Sequence, residues 1–226
     1  MGRTLFIGDV HGCAAEFQAL LVAMAYNQLT DRLFLTGDAF TRGPDPLGVW
    51  RLIEAVHPQM VMGNHDDHLM IRLKEVVEGG SPRIKFLNQQ ETVKSVTPVA
   101  VPLLDWLKRL PLWIEEDRFL LVHAGINPQK GRNGTKREEF LTIRTWPPVG
   151  GIVGPRWHDS LSNTDRLIVF GHDAPGGLVV KRRTDGSPCI IGLDSGCVYG
   201  NQLSGYILEE DRIVQVASTQ AKTVGS

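Results

Sequence analysis

Asp9 and His11 stand two residues apart between glycines, in Gly8-Asp9-Val10-His11-Gly12. Farther along come Asp38 after Gly37, Asn64 and His65 after Gly63, His123 before Ala124-Gly125, and His172 after Gly171. These carboxylates, imidazoles and one amide carbonyl are oxygen and nitrogen donors with no sulfur among them. Such a set suits Mn2+, Fe, Zn2+ or other first-row ions such as Ni2+ and Co2+ better than a soft metal. The neighbouring glycines let the backbone turn sharply, so that side chains from separate segments can reach one point. A single Asp or His of this kind usually caps a turn, but five such places in one chain make convergence the better account.

Residues so far apart converge only if the elements before them are laid side by side. Five short apolar runs, at residues 4–7, 32–36, 59–62, 119–122 and 167–170, each lead into a polar turn that carries one of these groups. Each reads as a buried strand entering a loop. In α/β sheets ligands bind beyond the carboxyl ends of the strands, which is where these donors stand. Helical patterns over 16–25, 47–57 and 67–78 separate the first strands, and the C-terminal third alternates shorter runs at 189–193, 203–208 and 212–217. The expectation is an α/β fold, βαβα first and mostly β later. Residues 79–102 and 131–155, with their prolines and paired glycines, interrupt the rhythm and read as insertion-like segments forming a cap or rim over the strand ends.

The 226 residues suit one domain spanning 1–226, and 42% hydrophobic with 22% charged residues excludes a disordered, collagen-like or coiled-coil chain. A formal charge of -1 provides no global field for nucleic acid or anionic lipid, so no general nucleic-acid binding is expected. The run Lys181-Arg182-Arg183 reads as a solvated hairpin face. The longest apolar stretch, about 19–26, falls short of the roughly 20 residues of a membrane helix. Met1 leads straight into a strand with no basic-then-apolar leader, and Phe6 spoils a myristoylation match at Gly2, so a cytoplasmic location is expected. Cys13, Cys189 and Cys197 are odd in number and lack CxxC spacing, which reads as small buried thiols. The oligomeric state stays open.

The ordered blocks resemble those of the calcineurin-like metallophosphoesterases, and within them the phosphoprotein phosphatase group that also contains diadenosine tetraphosphatases. The family's GDxHG, GDxxDRG, GNH(E/D), HAG and GH blocks stand here as residues 8–12, 37–43, 63–66, 123–125 and 171–172, and residues 194–200 (DSGCVYG) are similar to the group's bacterial members. The resemblance implies a β-sandwich flanked by helices, with a dinuclear metal site at the strand ends. Asp9 and His11 would hold one divalent ion, Asn64, His123 and His172 the other, and Asp38 would bridge them, with Mn2+ the first ion expected. Many relatives carry GHxH, but Ala174 stands at the second His position, as in the phosphatase group.

Two divalent ions opposed by two ligating carboxylates leave roughly two positive charges to attract a phosphate and to activate the attacking water between them. By the same resemblance His65 is the general acid, Arg42 grips phosphate oxygens, Asn64 contacts substrate as well as metal, and Arg144 is a second phosphate-binding arginine. One departure stands out. Thr41 occupies the place of the second aspartate of GDxxDRG, which in the family charges the acid histidine; Asp66 or Asp67 is the nearest replacement.

The leading expectation is hydrolysis of phosphate monoesters, with phosphoserine or phosphothreonine in protein as substrate class. The alternative is a diadenosine tetraphosphatase or related nucleotide pyrophosphohydrolase, including action on nucleotide-capped RNA ends. Residues 110–128 look like both groups. A nucleobase needs a stacking surface, for which Trp146, Trp157 and His158 are the candidates. A third reading, motivated by Thr41, is a metal-binding interaction module without turnover.

Overall fold

The computed structural model describes residues 2–148, 152–161 and 164–222. Two five-stranded sheets face each other. In the first, β1 (Thr4–Ile7), β2 (Arg32–Leu35) and β3 (Gln59–Met60) run parallel, while β9 (Gln202–Ile207) pairs antiparallel with β1 and with the edge strand β10 (Arg212–Ala217). In the second, β5 (Phe119–Val122), β6 (Leu167–Phe170) and β8 (Pro188–Gly192) are parallel, flanked by antiparallel β4 (Trp113–Glu115) and β7 (Val179–Arg182).

The inner strands β1, β2, β5, β6 and β8 read as near-continuous apolar runs because both faces of each are covered, whereas the edge strands β4, β7 and β10 mix exposed and half-buried positions. Phe6, Phe34, Phe119, Leu121, Val169 and Ile191 point between the sheets. There the Phe6 ring lies 5.4 Å from Phe34 and edge-on to Phe119 at 4.9 Å, an arrangement that aromatic quadrupoles favour. The alternate residues Leu5, Ile7, Leu33 and Leu35 face out, under helices α1 (Ala14–Ala23), α2 (Pro46–Val56) and α3 (Asn64–Val77). On the other side Leu120, Val122, Ile168 and Phe170 pack beneath Phe140, Ile143 and Trp157.

The segment 79–102 splits in two: Arg83, Lys85, Phe86, Asn88 and Gln89 edge hollows beside Thr41 and His65, as the expected rim would, and the later part packs in the core. Only its first part is irregular; it continues into α4 (Leu87–Val96), a 3-10 turn at Thr97–Val99 and α5 (Ala100–Leu107), which bury Val93, Val96, Leu103 and Leu107 in the core under α1 to α3. Pro98 and Pro102, which look like loop signals, sit in the first turns of a 3-10 and an α-helix, where the missing N–H has no intrahelical partner to lose. In 131–155, α6 (Arg137–Thr142) buries Phe140 and Leu141, and Thr145 bridges to Arg156; the Gly150-Gly151 pair lies outside the described residues. Each cation of the 181–183 run has a local partner: Lys181 meets Asp159 at 2.8 Å, Arg182 meets Asp211 at 2.6 Å, and Arg183 donates to the Thr164 and Pro188 carbonyls. No helix among the described residues is long and apolar enough to cross a membrane.

Candidate metal centre

The loops after β1, β2, β3, β5 and β6 meet above the carboxyl edges of both sheets. Backbone hydrogen bonds stitch them together, from His11 N to Asp38 O, from Gly12 N to Ala39 O and from Gly171 N to His123 O. Two glycines are needed for the close approach itself. A Cβ on Gly63 would lie 2.1 Å from Asp38 Oδ1, and one on Gly171 would lie 1.9 Å from Asp9 Oδ1. Among the described non-glycine residues seven have positive φ, and His11, Asp38, Arg42 and His172 are four of them. A left-handed backbone costs a side-chain-bearing residue on the order of 1 kcal/mol, so this loop network holds strain where the donors converge.

The six proposed ligands do come together. Asp9, His11 and Asp38 have ligand atoms all within 4.8 Å of one another, and so do Asp38, His123 and His172. Asp38 belongs to both groups, with its Oδ2 3.7 Å from His11 Nε2 and 3.5 Å from His123 Nε2. Each carboxylate is aimed from behind. Asp9 accepts from Thr36 Oγ1 (2.7 Å) and His172 N (2.9 Å), and Asp38 Oδ1 accepts from His65 N (2.9 Å).

His123 Nδ1 lies 2.8 Å from the Thr36 carbonyl, which can only accept, so Nδ1 carries the proton and Nε2 presents a lone pair. That Nε2 faces Asn64 Oδ1 at 3.0 Å, so two acceptors point at one spot. His11 Nδ1 and His172 Nε2 are buried with no hydrogen-bond partner among the described residues. Acceptors aimed together and orphaned imidazole nitrogens fit a cation, and the donor chemistry fits hard to borderline divalent ions.

Burial drives the electrostatics. It carries the Asp9 carboxyl well above its usual range, with the Asp194 and Asp38 charges adding to the effect, and it pushes Asp38 up to about 7 against the opposing hydrogen bond from His65 N. Burial also holds His11 and His172 well below the usual imidazole range and takes His123 to about 4, so the imidazoles are in the neutral form that ligates. A bound dication favours the ionised carboxylates in turn.

A cleft of about 430 Å³ opens over this cluster, lined by His11, Asp38, Arg42, His65, Arg144 and Asp194 among others. The Arg42 guanidinium has no hydrogen-bond or ion-pair partner among the described residues, and it stacks over the Tyr199 ring at 5.6 Å, which leaves its donors for a ligand. Arg144 is anchored behind the cleft, donating to His172 O at 3.1 Å and lying 3.7 Å from Asp173, which Arg156 also holds at 2.7 Å.

Three readings of the sequence change here. Asp66 does not serve His65: it is fully buried and accepts from the backbone N–H groups of Asp38, Ala39 and Gly63, while Asp67 pairs with Arg137. Thr41 Oγ1 and His65 Nδ1 are each buried without a partner, so no carboxylate among the described residues charges this histidine. Trp157 and His158 are sunk in the core beside Phe170 and offer no stacking face; Trp146 packs against the same cluster. Asp194, a third buried carboxylate at the cleft, was missed as a site residue, although the DSGCVYG block carried the signal. It reduces the net positive charge expected from two metals, which Arg42 and Arg144 then restore.

Residues 2–213 match the calcineurin-like phosphoesterase family. A protein of Erwinia tasmaniensis named symmetrical bis(5'-nucleosyl)-tetraphosphatase is 41% identical, with 89% of this chain and 92% of that one covered. One of the same name from Dechloromonas aromatica is 30% identical over 94% of this chain and 95% of its own; that alignment runs to 275 positions, more than the 226 residues here, so the relative carries segments this chain lacks. A crystal structure described as a candidate diadenosine tetraphosphatase superposes with a TM-score of 0.77 at 30% identity, covering 97% and 95% of the two chains. A yeast serine/threonine phosphatase superposes at 0.60 with 16% identity, over 100% of this chain and 81% of that one, a likeness of fold alone. The chain therefore belongs to the calcineurin-like phosphoesterases, metal-dependent hydrolases of phosphoester bonds.

Proposed function

We propose that this chain hydrolyses dinucleoside polyphosphates, diadenosine tetraphosphate foremost, rather than phosphoproteins. Asp9 and His11 would hold one divalent ion, Asn64, His123 and His172 would hold a second, and Asp38 would serve both; Mn2+ is the first ion to test. The observation that carries the phosphoesterase reading is Asp38 shared by two buried donor groups, beneath a cleft edged by the unpaired Arg42. The relatives named symmetrical tetraphosphatases favour the dinucleoside substrate.

When bound, the ions supply positive charge against the phosphoryl oxygens and activate the attacking water. Arg42 and Arg144 then hold the non-bridging oxygens and orient phosphorus, Asn64 contacts the phosphoryl group from the α3 end, and His65 gives a proton to the departing oxygen. One P–O bond of the anhydride bridge breaks and one P–OH bond forms; a central cut of the four-phosphate bridge releases two molecules of ADP.

Thr41 supports the same choice of substrate. Thr41 Oγ1 and His65 Nδ1 are both buried without a partner among the described residues, so Thr41 supplies no carboxylate to favour the protonated acid. A serine alkoxide is a strong base and needs a ready acid. The terminal phosphate of a nucleoside diphosphate, with a second pKa of about 6, leaves with far less help.

The test offers Mn2+-loaded protein diadenosine tetraphosphate and a phosphoserine peptide in parallel. ADP as the sole nucleotide product, formed faster than phosphate from the peptide, is expected. Faster release from the peptide returns the protein-phosphatase reading, and bound metal with no turnover of either substrate favours the interaction module.

A further inference from the structure

The cleft over the metal centre does not end at His65. A second hollow of about 650 Å³ shares Arg42, His65, Arg144 and Tyr199 with it and runs on to His68, Phe86 and Gln89. A third, of about 260 Å³, shares His65, His68, Phe86 and Gln89 with the second and is closed by Thr41, Arg72, Arg83 and Lys85. His65 lines all three, so it stands between the donor cluster and one continuous arm.

Three cations stand in the walls of that arm: Arg72 pairs with Glu75 at 2.9 Å, while Arg83 and Lys85 meet no carboxylate, a state they share among the described residues with others elsewhere, such as Arg51, Arg109 and Lys94. Arg3, Arg32, Arg118, Arg137 and Arg182 each meet a carboxylate. Arg83 has no ion-pair or hydrogen-bond partner among the described residues, and Lys85 has none beyond the face of the Phe86 ring, which its Nζ overlies at 5.6 Å. Ile84 packs against the core, while Arg83 and Lys85 on either side of it line the hollow. Phe86 is 56% exposed, an aromatic side chain at the mouth of a cationic groove with Lys85 over one face. Thr41, only 4% exposed, carries an unpartnered Oγ1 at the inner end.

Unpaired cations beside an exposed aromatic side chain match a ligand with several phosphates and a flat base, since every base has a π-face to stack. The direction of the reaction fixes which half of the substrate this is. A general acid must lie on the side of the departing oxygen, and the arm begins at His65. We propose that this arm is the subsite for the departing nucleoside diphosphate, with Arg83 and Lys85 against its phosphates and Phe86 stacked on its base. The proposal rests on the dinucleoside polyphosphate reading and on His65 as the acid.

The test uses Mn2+-loaded wild type, Phe86→Ala and Arg83→Ala/Lys85→Ala, each with diadenosine tetraphosphate and with p-nitrophenyl phosphate, whose small leaving group ends near His65. All three side chains are exposed, so folding is not at stake, and Phe86→Trp provides a conservative control. The expected result is a KM for diadenosine tetraphosphate raised by about tenfold in Phe86→Ala and in the double variant, with weaker inhibition by ADP to match. The kcat/KM for p-nitrophenyl phosphate stays at the wild-type value, and Phe86→Trp retains the wild-type KM. Unchanged diadenosine tetraphosphate kinetics in both variants, or equal losses on both substrates, overturn the subsite alone. A wild type that cleaves p-nitrophenyl phosphate but not diadenosine tetraphosphate overturns the substrate reading and takes the subsite with it.

Discussion

Among the described residues, two places bring three ligand-type side chains within 4.8 Å of one another in the buried interior. One is the pair of Asp and His groups joined through Asp38, and the other is Cys13, Glu16 and Cys197. Their surroundings separate them. The first lies at the floor of a cleft with Arg42 and Arg144 in its walls, and its imidazoles are already in the neutral form that binds metal. In the second, the hydrogen bond to Cys197 and burial drive the Cys13 thiol far above its usual range, so the thiolate that a metal needs is suppressed. Both sulfurs are part of the apolar core under α1, and Glu16 Oε1 is taken up by Thr219 N and Oγ1, each at 2.7 Å. Convergence of donors is thus a weak criterion; protonation state and an open face with compensating charge make the difference.

That contrast breaks most directly at Asp38. Asp38→Asn should lower kcat by about a thousandfold or more and reduce bound metal at both positions, with the fold kept, because one carboxylate serves both groups. Elemental analysis beside activity checks it, and wild-type metal content with wild-type rate would refute the shared role. Arg42→Ala removes a phosphate contact and no donor. It should keep its metal while kcat/KM falls by at least about tenfold, roughly 1.4 kcal/mol of transition-state stabilisation.

Thr41→Asp sharpens the argument about the leaving group. A carboxylate beside His65 should raise turnover of an alkyl phosphate relative to diadenosine tetraphosphate by several-fold, since only the alkoxide depends strongly on the acid. An unchanged ratio of the two rates would separate Thr41 from the choice of substrate.

At the second cluster the expected effects are on stability only. Cys197→Ala should leave metal content and kcat/KM at wild-type values and cost about 1 kcal/mol, read from the denaturant midpoint, for the lost packing. Glu16→Gln should cost on the order of 1 kcal/mol, and only while Glu16 is ionised. Burial raises the Glu16 pKa, but the Thr219 N–H and hydroxyl outweigh it and hold the carboxyl below the usual glutamate value of about 4.3. The stability contributed by the anion is therefore full above that value and is lost as the pH falls through the lower folded value. Melting curves should differ between Glu16→Gln and wild type at pH 7 and converge in acid; a gap that persists in acid would assign the loss to packing.

The order of the glycine-flanked blocks was enough to establish the α/β class, the strands that carry the site and the side chains that could ligate, because each is a local relation between an apolar run and the turn after it. The core helices α4 and α5 were hidden, because Pro98 and Pro102, between and within them, resemble loop signals until one knows that they fall in the first turns of a 3-10 helix and of α5. Burial was hidden too. Nothing local distinguishes Trp157, sunk in the core, from Phe86, open to the groove, and nothing local tells that Asp66 is spent on three backbone N–H groups. Which donors share a carboxylate, which cations go unpaired and which thiols meet are distances between segments far apart in the chain. Only packing the two sheets face to face decides them, because that sets how the loops at the strand ends overlap.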